Sequence, residues 1–153
     1  LDMKQLALEK DKSVIGIFCD NAVTDHDGNL FDVCSYATTA ALNSCKLPKY
    51  EMKDDAPVKI EGEVSDPPIA TLPVSVTMIR IGEHILVDPN MDEWTCLDAR
   101  ITITTNSDGN IVALQKGGSD GFTHEQLTNC AEMSIQVGKK IREIIKTASE
   151  GSN

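Results

Sequence analysis

Two carboxylates, Asp92 and Asp98, stand six residues apart in the stretch from Met91 to Arg100. Paired acids can hold a divalent cation or supply a general acid. The plain alternative is an acidic, solvated loop followed by a strand-edge Asp98 pairing with Arg100, and composition alone favours it. Gly117-Gly118-Ser119 precedes a helical pattern and could cradle a phosphate. It lacks the GxxxxGK[ST] or GxGxxG spacing, so a flexible loop is the simpler reading. His26, His84 and His124 are scattered, with no partner at metal-ligand spacing. The five cysteines are odd in number and form no CxxC, which argues against both a disulfide framework and a zinc site. No cofactor is implied. Trp94, the only tryptophan, could stack a base, although a lone tryptophan more often packs in a core or an interface.

Composition bounds the answer. The chain has 153 residues, 41% of them hydrophobic and 25% charged, as in a soluble globular protein. Its net charge of −10 argues against a nucleic-acid module with a basic face. No apolar run approaches the roughly 20 residues of a membrane span. Leu1 to Lys12 is charged and has no apolar core of a signal peptide. Unpaired thiols suit a cytosolic or nuclear compartment.

The elements that must position these residues centre on Leu72 to Lys116. Pro73 opens an apolar strand from Val74 to Ile81, Gly82-Glu83 suits a type II′ turn, and His84 to Val87 returns. Asp88-Pro89 stops that strand, since proline offers no N–H. Ile101, Ile103 and Thr105 alternate with Thr102 and Thr104, the period of a half-buried strand. Asn106 to Asn110 is a turn, and Ile111 to Gln115 closes the sheet. Upstream, Val14 to Cys19 reads as a central strand and Leu30 to Ser44 as a helix, with Ala37 and Ala41 placed to let it sit close on the sheet. Glu51 to Pro68 reads as an exposed acidic connector with one weak strand, Val58 to Ile60. Thr123 and Gln126 make a capping box. They start a helix whose stripe is Leu127, Ala131, Ile135, Gly138, Ile141 and Ile145.

Four segments together carry a resemblance to the RNase PH-like proteins. They are Leu72-Pro73-Val74-Ser75-Val76-Thr77, Val87-Asp88-Pro89, Leu97-Asp98-Ala99-Arg100-Ile101-Thr102 and Gln115-Lys116-Gly117-Gly118. Their order and spacing resemble the C-terminal domain of that family, in particular its non-catalytic subunits in archaeal-type exosome rings. The resemblance implies an α+β fold of the RNase PH-like (ribosomal protein S5 domain 2-like) kind, an antiparallel or mixed sheet with packed helices. It implies an end of the first subdomain over 1–50, the connector over 51–68, and the C-terminal domain over 69–150. Such proteins carry roughly as much chain again before this point, so a fragment, or a first half supplied elsewhere, is expected.

The resemblance also implies a function. Asp92 and Asp98 match the carboxylates that active members use near the scissile phosphate. Active members also place Gly-Ser-Arg at the start of the Ala-rich helix, where helix N–H groups and Arg hold the attacking phosphate. Aligned through Ala41-Leu42 and Pro48, that place here is Asn29-Leu30-Phe31, flanked by Asp27 and Asp32. The expectation is a non-catalytic structural subunit that supports 3′-to-5′ RNA processing and degradation, with no catalytic residue of its own and no metal. The alternative is an active phosphate-dependent exoribonuclease using Asp92 and Asp98. The implied partners are a catalytic RNase PH-like exosome subunit, RNA-binding cap subunits and single-stranded RNA passing through the complex, with no membrane. Lys116 could reach RNA backbone but reads first as a surface lysine. Apolar strand edges and Trp94 would serve subunit contact. The expected location is cytoplasmic, and nuclear as well in a eukaryote.

Overall fold

The computed structural model describes residues 1–150. Its centre is a four-stranded antiparallel sheet in the order β6-β5-β7-β8, formed by β5 (Val74–Ile81), β6 (His84–Val87), β7 (Ala99–Thr105) and β8 (Ile111–Gly118). Before it come a small hairpin, β1 (Ala7–Glu9) with β2 (Ser13–Val14), then α1 (Leu30–Ser44), and a second hairpin, β3 (Leu47–Lys53) with β4 (Ala56–Ser65). A short helix, α2 (Met91–Thr95), joins β6 to β7, and a long one, α3 (His124–Glu150), ends the described chain. Antiparallel sheet with packed helices is the fold class that the resemblance implied.

Alternation assigns the sheet its two faces. Val76 lies opposite Ile103 and Met78 opposite Ile101. These four and Cys130 of α3 form the buried core cluster. On the other face Thr77 lies opposite Thr102 and Ser75 opposite Thr104, and each hydroxyl pair is hydrogen-bonded, at 2.8 and 2.9 Å. Gly82 turns β5 into β6 at φ +58, as expected of the first central position of a II′ turn. The turn after β7 is closed by Asn106, whose side-chain oxygen accepts from the N–H groups of Asp108 and Asn110.

Helix α1 spans the residues expected but attaches differently. β6 pairs with β5 only from Met78 onward, so the backbone of 73–77 is left open on that side apart from Thr77 O, which accepts from the Asp88 N–H at 3.1 Å. Polar side chains of α1 fill the gap at helical spacing. Asp32 accepts from the Thr77 N–H at 2.7 Å, the Tyr36 hydroxyl donates to Ser75 O at 2.9 Å, and Thr39 Oγ1 donates to Pro73 O at 3.1 Å. Ala37 and Ala41 are exposed, which corrects their expected place against the sheet. An open strand edge needs donors and acceptors, which the alanine side chain lacks.

The stripe on α3 is also rotated. Cys130, Ser134, Gly138, Arg142 and Ile145 are buried, whereas Leu127 and Ile135 are exposed. Small residues at i, i+4 and i+8 let the helix lie close to β7, and Arg142 Nη1 donates to Thr105 O and Oγ1. The Thr123–Gln126 capping box forms as expected.

Three further expectations change. The run from Val14 to Cys19 is no central strand: only Ser13–Val14 pairs, and Phe18 is 91% exposed. Beyond Val14 no neighbouring strand runs beside it among the described residues, and a strand without a ladder partner does not persist. Within 51–68 the chain forms most of the β3–β4 hairpin, reaching well beyond Val58 to Ile60. Asp54 and Asp55 make its turn with φ of 51 and 62. Charges dominate this segment and hide the alternation; Lys49–Glu63 at 3.3 Å and Lys46–Asp66 tie it together. Gly117 and Gly118 end β8 and form no flexible loop. A Cβ on Gly118, at φ +83, would lie 2.8 Å from Asp98 O, so glycine serves close strand approach here.

Candidate functional site

The start of α1, the end of β6 and α2 converge. Asp88 leaves β6 in a left-handed conformation, φ 59. Asn90 then caps α2 with a complete capping box: its side chain accepts from Glu93 N, and the Glu93 carboxylate accepts from Asn90 N. Loop 88–90 lies against Gly28, where a Cβ would sit 2.5 Å from Pro89 O. Only glycine, at φ +99, allows that approach.

Asn29 and Asp32 occupy the junction. Asp32 is 2% exposed. Its carboxylate accepts from Thr77 N, from Thr77 Oγ1 at 2.8 Å and from Asn29 Nδ2 at 2.9 Å. The same Asn29 amide donates to Asp88 Oδ1 at 2.7 Å. Two carboxylates facing one amide fix its orientation, since a flipped oxygen would repel both; Asn29 Oδ1 is then buried without a partner among the described residues. Burial raises the Asp32 carboxyl above 3.8, partly offset by its hydrogen bonds, and Asp88 adds to the rise. Burial likewise raises the Tyr36 phenol, with Asp32 and Asp88 adding to it.

Beside this junction the Arg100 guanidinium lies over two rings, 5.0 Å from the Phe31 centroid and 4.8 Å from that of Trp94. Gly117 makes room for it: a Cβ there would sit 2.8 Å from an Arg100 terminal nitrogen. Trp94 thus packs partly buried against Arg100, close to the plain reading of a lone tryptophan.

Asp98 does not pair with Arg100. Its carboxylate accepts from Gly82 N at 2.7 Å and meets Arg80 at 3.4 Å, and Arg80 also binds Asp120 at 2.9 Å. The reason is register: Arg80 and Asp98 lie beside the Gly82 turn, while Arg100 belongs to the hydroxyl face. Asp92 is exposed in the first turn of α2. Among the described residues no hydrogen bond or ion pair links Asp92 to Asp98. Replacing Asp98 with alanine should cost about 1 kcal/mol in urea unfolding, because its charge-assisted bond to Gly82 is half-exposed and Arg80 keeps Asp120. Lys116 Nζ donates to Gly118 O at 2.8 Å. Of the histidines, His26 Nδ1 accepts from Gly28 N at 3.4 Å. No group of three or more His, Cys, Asp or Glu suited to a metal forms among the described residues.

Sequence reasoning reached Asn29, Leu30 and Phe31 but missed what holds them. Asp32 and Asp88 lie far apart in sequence, and no spacing rule joins them. The stack of Arg100 on Phe31 and Trp94 left no sequence signal either.

Residues 71–137 match domain 2 of the 3′ exoribonuclease family. The chain is 37% identical over 149 residues to the exosome complex component Rrp42 of Thermococcus gammatolerans, covering 97% of this chain and 55% of that protein. It therefore spans about half the length of the curated relatives it matches. A solved archaeal exosome core superposes with a TM-score of 0.68 at 37% identity, over 80% of this chain and 47% of the other. An Archaeoglobus fulgidus exosome with RNA bound to the active site gives 0.66 at 39% identity, over 78% and 44%. The chain is homologous to archaeal Rrp42, over its RNase PH-like C-terminal half.

Proposed function

We propose that this chain works as a non-catalytic, structural subunit of an exosome core. It alternates with a catalytic RNase PH-like subunit, lies below RNA-binding cap subunits and supports 3′-to-5′ degradation of single-stranded RNA in the cytoplasm. The homology to Rrp42 supports the assembly. The state of the α1 start supports the absence of catalysis. There Asp32 is buried, Asn29 bridges it to Asp88, and Phe31 is stacked on Arg100.

An attacking phosphate at this helix end would face those carboxylates. A helix end stabilises an anion by about 0.3–1 kcal/mol. One carboxylate roughly 5 Å away opposes a unit of phosphate charge by about 3 kcal/mol at an effective dielectric of about 20. Repulsion wins. Asp98, engaged with Gly82 and Arg80, is a structural acid of the hairpin.

Sizing the chain alone and with the catalytic partner subunit tests the assembly, and co-migration in a ring is the expected result. A lone monomer in both samples would defeat the assembly role. Phosphate-dependent release of nucleoside diphosphates from polyadenylate by the chain unaided would defeat the non-catalytic one.

A further inference from the structure

β8 ends the central sheet, and no strand lies along its outer edge among the described residues. An open edge presents a row of backbone N–H and C=O groups ready to pair with another strand. Shortness, proline, charge or a bulge blunts such edges. β6, the opposite edge, is four residues long. β4, the edge of the smaller hairpin, carries Pro57, Lys59, Glu61 and Glu63. β8 has eight residues and, from Ile111 to Gln115, neither charge nor proline. Gly109 to Ser119 holds no acid at all, in a chain with 24. Its one guard is a bulge at Val112, between the pairs made by Thr104 and Thr105.

The edge is apolar where it is exposed. Ile111, Val112 and Leu114 are 46, 53 and 57% exposed. Leu114 lies opposite Ile103, and Ile111 opposite Thr105. Ile103 packs with Cys130 of α3, and Thr105 bonds Arg142 of α3. Ile111 and Leu114 therefore lie on the face that carries α3. Ile135 of α3 is partly exposed next to the turn before β8, where a Cβ on Gly109 would come within 3.8 Å of it. A strip of apolar surface thus runs from Ile135 along β8, beside an unpaired backbone.

We propose that β8 pairs, antiparallel, with β8 of a second copy of this chain, about a two-fold axis at Ala113. Such a contact is isologous, so each interaction occurs twice. Opposite residues share a sheet face. In this register Val112 lies opposite Leu114 of the second copy. Lys116 lies opposite Asn110 of the second copy and reaches Asp108 two residues on, giving up its bond to Gly118 O. Each lysine meets an acid, and the two lysines stay about 20 Å apart. The charges of the edge are therefore complementary to themselves. A basic partner would suit the net charge of −10, but β8 offers it no carboxylate. Two copies repel at long range, and salt screens that repulsion over about 8–10 Å. The inference goes beyond the exosome reading and does not depend on it.

Sedimentation of the purified chain, from micromolar to millimolar, tests the pairing. A monomer–dimer equilibrium is expected, and it should tighten between about 0.1 and 1 M salt. Leu114→Lys, at an exposed position, should weaken it about 10-fold or more, since two leucines leave the contact. Lys116→Glu should weaken it about 2- to 5-fold. Lys116→Glu together with Asp108→Lys should restore it, which only self-pairing in this register predicts. Circular dichroism verifies that each variant is folded. A chain that stays monomeric at millimolar concentration overturns the inference. So does a dimer that folded Leu114→Lys leaves intact, or a charge swap that restores nothing. Hydrogen-exchange protection of β8 by the catalytic subunit, without self-association, gives the edge to that partner and overturns the inference while the assembly role stands. A dimer that enters no ring upholds the inference and defeats the assembly role.

Discussion

Replacing Asp32 with alanine should lower stability by about 3 kcal/mol, read as a fall in the urea midpoint with an unchanged slope. The side chain is 2% exposed and holds three donors from two elements. Alanine leaves the Thr77 N–H without a partner where β6 does not reach. Asn29 loses one of its two acceptors, while the Thr77 hydroxyl keeps Thr102. Each buried donor left unpaired costs about 1–3 kcal/mol. Relief of the repulsion from Asp88 recovers only part of that. Against a typical total of about 5–15 kcal/mol, the loss is large for one helix residue. Asp32→Asn keeps an acceptor for Thr77 and should cost less.

The wild type and Asp32→Asn together carry a pH signature. Burial is the main cause that raises the Asp32 carboxyl above 3.8 in the folded chain. A carboxyl whose folded value is raised contributes fully below 3.8, and that contribution is lost as the pH rises through the raised value. The asparagine that replaces it does not titrate, so wild-type stability measured relative to Asp32→Asn should fall as the solution is brought from acid toward neutral. A rise over that interval would mean that hydrogen bonding to the ionised form outweighs burial.

Gly138→Val should cost about 2–4 kcal/mol, and Gly138→Ala should also destabilise. Helix propensity alone predicts the opposite for alanine, a gain of about 1 kcal/mol at an interior glycine. Packing overrides it. A Cβ at Gly138 would lie 2.7 Å from Thr105 Oγ1 and 3.4 Å from both terminal nitrogens of Arg142. Thr105 is fully buried and bonded to Arg142, so neither neighbour can give way cheaply. The added carbon must lift α3 from β7 or break the Arg142–Thr105 contact. Thermal unfolding of the two variants measures the sign, and a stabilised Gly138→Ala would show that the helix rides higher than described.

Much of the central sheet is legible in the residues. Alternation from Val74 to Ile81 and from Ile101 to Thr105, with Gly82 and Asn106 to Asn110 as turns, predicts both of its hairpins without any long-range knowledge. The helix from Leu30 to Ser44 is legible too, from composition. Its face is not. Ala37 and Ala41 suggest an alanine face, whereas the helix docks through Asp32, Tyr36 and Thr39 because β6 is too short to cover β5. That shortness is visible only when both strands are paired. The acidic stretch after Lys46 hides a hairpin for a related reason: its strands are held by backbone ladders and cross-strand charges, which leave no apolar period to read.

For the site, the sequence by itself places Asn29, Leu30 and Phe31 at the start of the helix and Asp27 and Asp32 beside them, because local residue types and a helical pattern are read without any long-range contact. Only the tertiary structure decided that Asp32 and Asp88 meet across one amide, that Asp98 serves a hairpin turn, and that Arg100 lies between two aromatic rings. Those contacts join elements distant in the chain. Their geometry depends on register and close backbone approach at Gly28, Gly117 and Gly118, and no short-range pattern encodes it.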